Sequence, residues 1–118
     1  MAEQLEKLFA ATGIAMTAVL LTDAITPLHR DIAPGLPHYV AHLATFAALA
    51  TVWTLSLPRI GAFYLAAGLI AFGFLHEGIE ILGHHHSFEL HDALIDAAGV
   101  ILGVGFARRI VSRRERTH

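Results

Sequence analysis

Residues 60–103 read IGAFYLAAGLIAFGFLHEGIEILGHHHSFELHDALIDAAGVILG. An apolar run, a segment crowded with ionisable groups and a second apolar run follow one another without a linker. Within this stretch, residues 76–96 hold five carboxylates and five histidines. Such groups are costly in hydrocarbon, so a chain that keeps them beside membrane-like helices most often uses them. The apolar runs decide the fold class, and the polar segment between them marks the candidate site.

Working outward, the 118 residues have room for one domain, 1–118. Hydrophobic residues make up 55% and charged residues 15% of the chain, too apolar for a soluble domain of this size. Four stretches are long enough to cross a hydrocarbon core of about 30 Å: Leu8 to Ile25, Tyr39 to Leu57, Ile60 to Leu82 and Ala93 to Val111. The expected fold is therefore all-α, a polytopic membrane protein of four transmembrane helices. A soluble helical bundle is the weaker reading, because apolar residues surround each helix instead of forming a stripe. Pro34-Gly35 and Leu36-Pro37 break the chain before the second span. Pro58-Arg59 alone joins the second to the third, which predicts a tight helical hairpin. Without cysteine there is no disulfide, thiolate nucleophile or thiolate metal site. Glu3 and Glu6 spoil the basic start of a secretory signal.

The basic residues set the expected orientation. With four spans and a cytoplasmic C-terminus, the N-terminus is cytoplasmic as well. Lys7, Arg59, Arg108, Arg109, Arg113, Arg114 and Arg116 then share that side, and Arg30 alone lies outside, as the positive-inside bias requires. The basic tail 108–118 reads as a cytoplasmic anchor with some affinity for anionic lipid. No aromatics interleave with its arginines to stack bases, so no nucleic-acid partner is expected.

The same topology gathers His29, His38, His42, His76, His84, His85, His86 and His91 on the outer side, together with Asp23, Asp31, Glu77, Glu80, Glu89, Asp92 and Asp96. His76 and Glu80 are four apart and share a helix face, with Glu77 about 100° round. Asp92, Asp96, Gly99 and Gly103 fall on one stripe of the fourth helix. Asp92 is placed to act as its N-cap, and the two glycines allow another helix to approach closely. His38 and His42 form a further pair four apart. If these faces converge, His42, His76, Glu77, Glu80 and Asp96 surround a polar pocket open to the outside. The plainer readings are a helix cap for Asp92, a solvated loop for His84 to His86 and packing for the glycines. They are weakest for Glu77, Glu80 and Asp96, since each acidic residue costs about 2.5–3.5 kcal/mol at a span centre and less near its end.

The segment HEGIEILGHHHSFELHDALIDAAGVILG resembles the core motif of the VanZ-like family of small bacterial membrane proteins. Upstream, HYVAHLATFAALATVWTLSLPR is similar to that family's second helix, with His42 as its early histidine. The resemblance spans about residues 36–111. Glu77, Asp92, Gly99 and Gly103 stand at the family's positions and Ser87 falls in its Ser-containing stretch, with the spacing intact. Glu80 replaces the usual Gln, His86 the usual Arg and Asp96 the usual Asn. Losing the Arg removes a bidentate anion clamp, and each exchange favours a cation or proton transfer.

The resemblance implies a multi-pass protein of the bacterial inner membrane, working in the cell envelope and linked to glycopeptide resistance or to binding an envelope component. The implied pocket comprises His42, Glu77, Glu80, His86, Asp92 and Asp96, its partners being the bilayer and an envelope lipid or glycopeptide-related ligand. The alternative reading is a membrane metal protein or metal-dependent hydrolase. His76, Glu80, His42 and Asp96 would hold Zn or Mn and Glu77 would act as the catalytic general base. A pH-sensing role is a third reading. Ser87 lacks the G-x-S-x-G elbow of a serine nucleophile. Because four short helices enclose little space, a homodimer is a further expectation.

Overall fold

The computed structural model describes residues 2–25, 36–84 and 90–116, without the side chains of residues 2, 36–38, 83–84 and 114–116. The described chain is all α: α1 (Ala2–Ile25), α2 (Leu36–Ser56), α3 (Ala62–His84) and α4 (Leu90–Arg116). Segments Glu3–Ile25, Tyr39–Ser56 and Ala62–Leu82 are long and apolar enough to cross a membrane. All four helices extend past the expected spans at one end or both, α1 and α4 furthest. α1 begins in the charged segment before Leu8, and α4 continues through the arginines to Arg116, so residues 108–116 are helix and not a separate tail. Arg and Glu are good helix formers, and cations in a last turn complement the helix dipole.

The bundle measures 51 × 23 × 22 Å. Its dominant contact is α2 on α4; α1 packs on α2 and α3, and α3 on α4. The α2–α3 pair, expected as a tight hairpin, makes the least contact of any touching pair. The short 57–61 connection joins two helices that touch but pack mainly on α1 and α4. Arg108 of α4 fastens the connection, donating from Nη1 to the Pro58 carbonyl at 2.9 Å and from Nη2 to that of Ile60.

Small residues bring α2 and α4 together. A Cβ at Gly99 would sit 2.7 Å from the Leu43 carbonyl oxygen, and one at Gly103 would overlap the Ala47 carbonyl. The close approach expected of these glycines is formed, and its partner is α2. Below it, Phe46, Leu49, Ala50, Val100 and Val104 make the apolar core. Trp53 links α2 to α1, its Nε1 donating to Thr17 Oγ1 at 3.2 Å.

The contacts order the ends. His42 meets Asp96 and Thr51 meets Gly103, so α2 and α4 run parallel. Arg59 approaches Glu6, so α1 runs against α2. One end of the bundle therefore carries His42, His76, Glu77, Glu80, Asp92 and Asp96. The other carries Lys7, Arg59, Arg108, Arg109 and Arg113.

Candidate functional site: a buried acid–imidazole cluster

His42 lies about two turns into α2, some 9 Å from its first residue at 1.5 Å per residue. Its imidazole is bracketed by two carboxylates one helical turn apart on α4. Nδ1 is 2.8 Å from Asp96 Oδ1 and Nε2 is 3.9 Å from Asp92 Oδ2. The 92/96 spacing puts both side chains on the α4 face that Gly99 presses against α2. Asp92 is not the N-cap expected of it. α4 starts at Leu90, so Asp92 sits inside the first turn, where its carboxylate faces the positive end of the helix dipole as well as His42.

α3 completes the cluster. His76 and Glu80 share a face as their spacing predicts, with Nε2 and Oε1 3.7 Å apart. The His76 ring packs against Phe46 and Phe72, at centroid distances of 5.8 and 6.2 Å, in a triangle of three rings. Neither phenylalanine was legible as part of the site, because each continues an apolar run. Glu80 lies near enough to His42, and Glu77 to Asp96, to interact electrostatically. Gly73 backs onto Asp96; a Cβ there would be 3.4 Å from Asp96 Cβ and 4.0 Å from Oδ2.

Burial runs against the usual order. Glu77, Asp92 and Asp96 are among the largest wholly enclosed side chains, at 0–1% exposure, and His76 is at 2%. The side chains of His42 and Glu80 keep 13% and 14% exposure, so approach from outside runs past these two. Asp96 Oδ2 is enclosed and has no hydrogen-bond partner among the described residues. A buried acceptor in that state costs about 1–3 kcal/mol.

His42, Glu77, Glu80, Asp92 and Asp96 thus come together as expected, with His76 beside them. His86, Ser87 and the remainder of 85–89 lie outside the described residues, as do His29 and Asp31, while for His38 and His84 only the helical backbone is described. Among the described residues no group of three or more His, Asp or Glu side chains is arranged to hold a metal ion. No family model, curated protein or solved structure matches this chain.

Proposed function

We propose that this chain is a four-pass protein of the bacterial inner membrane, VanZ-like in plan, whose cluster faces the envelope side and binds a cationic group of an envelope component. The apolar outer face of α4, with Leu94, Ile101, Leu102 and Phe106 exposed, supports its being the fourth span. The basic residues at the opposite end of the bundle support the outward orientation of the cluster.

The observation that carries the reading is Asp96 Oδ2, enclosed near the small Gly73 without a hydrogen-bond partner among the described residues, in a cluster whose described members are Glu77, Glu80, Asp92 and Asp96 with His42 and His76. An enclosed excess of carboxylate calls for a donor with positive charge. A primary ammonium brings three N–H donors on a compact head. The exchanges of Gln for Glu80 and Asn for Asp96 relative to the VanZ-like pattern strengthen the same preference. The metal-dependent hydrolase reading draws no support from the described residues. Glu77, expected as its general base, serves here as part of the acidic wall.

The test is tolerance of teicoplanin in a Gram-positive host expressing the wild type, His42→Ala or Asp96→Asn at equal membrane levels. Wild type should raise the tolerated concentration and neither variant should. No effect of the wild type would remove the link to glycopeptides. Variants equal to the wild type would remove the role of the cluster.

A further inference from the structure

The basic end holds a second feature, distant from the cluster. A cavity of about 670 Å³ is lined by Glu3, Glu6, Lys7 and Ala10 of α1, Ser56 of α2 and Arg59 of the 57–61 connection. This volume is in the range of small-molecule sites. Ser56 is nearly enclosed, and its hydroxyl is turned back to the Trp53 carbonyl at 2.9 Å. The walls carry both signs of charge. Lys7 Nζ is 3.3 Å from Glu3 Oε1, and Arg59 Nη1 is 3.9 Å from Glu6 Oε2. The Lys7–Glu3 pair is mostly in solvent, and in the loose Arg59–Glu6 pair Arg59 is 89% exposed while Glu6 is partly covered at 28%; exposed pairs exchange readily. Phe63 and Tyr64, strongly exposed and packed edge to face at 5.7 Å, stand at the same end. Exposed aromatics of this kind mark the level of lipid headgroups.

We infer that this cavity is a headgroup site for a membrane lipid bearing both a phosphate and a primary ammonium, as in phosphatidylethanolamine. Arg59 and Lys7 take the phosphate, Arg59 with its planar fork. Glu6 and Glu3 accept from the ammonium. A quaternary ammonium has no N–H to donate, so the site discriminates against phosphatidylcholine. This assignment depends neither on the acid–imidazole cluster nor on the side of the membrane that the basic end faces.

Native mass spectrometry of the detergent-solubilised protein tests it, with phosphatidylethanolamine, phosphatidylcholine and phosphatidylglycerol as probes. Phosphatidylethanolamine should be retained roughly tenfold better than phosphatidylcholine, the equivalent of one good charge-assisted hydrogen bond. Glu6→Gln should abolish that preference, whereas Arg59→Gln should weaken retention of both zwitterionic lipids; both change side chains outside the core, and circular dichroism checks that the fold is kept. Equal retention of the two zwitterionic lipids would overturn the proposal, as would a preference that survives Glu6→Gln or retention of both lipids unchanged in Arg59→Gln. Phosphatidylglycerol held best, and lost only in Arg59→Gln, would reveal a plain anion site and also overturn it. Displacement by soluble glycerophosphoethanolamine at equal concentration would overturn the lipid assignment in favour of a free headgroup ligand.

Discussion

His42 and Asp96 are the pair on which the site turns. With Asp96 Oδ1 at 2.8 Å from the ring and Oδ2 enclosed without a partner among the described residues, the carboxylate does two jobs, one structural and one open. Substitutions separate them. Asp96→Asn keeps an acceptor for His42 and removes the charge, so the unfolding midpoint in detergent should hold while cation binding is lost. Asp96→Leu leaves the imidazole without its bond and should lower stability by about 1–3 kcal/mol in the same measurement. Gly73→Ala meets its neighbours at 3.4 Å or more. It should therefore fold normally yet weaken binding, since the added methyl stands 4.0 Å from Oδ2. The sequence made these residue types legible, since Asp92 and Asp96 are one turn apart and His42 is a lone imidazole in an apolar span. It could not show that His42 lies between the two carboxylates. That depends on the rotation of α2 against α4, which nearly uniform apolarity leaves undetermined.

At the scale of elements, the fold rests on α2 against α4 and on the latch from Arg108. Gly103→Val would drive a side chain into the Ala47 carbonyl and part the helices, at roughly 1–3 kcal/mol as an overpacked contact. Gly105→Ala, with nothing within 4 Å of the added carbon, should be neutral or stabilise by up to about 1 kcal/mol. Unfolding of the two variants side by side reads the contrast. Arg108→Met removes charged hydrogen bonds to two carbonyls of the connection and should cost about 1.5–3 kcal/mol, although Arg109→Met next to it should be silent. The glycine stripe announced a close helix contact in the sequence because small residues four apart have few other uses there. The latch was not legible: Arg108 is one of a run of arginines, and only the short 57–61 connection places two carbonyls within its reach. The expected α2–α3 hairpin has its short connection but packs loosely, for a related reason. A short connection fixes which ends are neighbours and leaves open what packs between the helices.

The whole molecule is inverted relative to a soluble bundle. Phe63, Tyr64 and Leu82 are exposed at 72–78% while Glu77, Asp92 and Asp96 are enclosed, an arrangement that a bilayer stabilises and water does not. Between the two charged ends, interior hydroxyls bond their own helix, Thr51 to the Ala47 carbonyl at 2.8 Å and Thr54 to that of Ala50 at 2.7 Å. The described residues thus offer no ionisable route from one end to the other. Because the chain has no cysteine, single-cysteine variants report sidedness cleanly. In intact cells, His91→Cys should react with a membrane-impermeant maleimide, and Ser112→Cys should react only after permeabilisation. The all-α class and the first three expected spans were legible because hydropathy alone sets them, whereas the arginine-rich α4 is not among the helices apolar enough to cross a membrane. The meaning of the cluster was not legible, since it depends on which acceptors the packing leaves unused. The most direct test of the cluster as a cation site is imidazole NMR of the protein in nanodiscs, titrated with Nα-acetyl-lysine methylamide. A saturable shift at His42, absent in Asp96→Asn and with the uncharged norleucine analogue, is the expected result. No saturable shift, or one that the norleucine analogue reproduces, would contradict it.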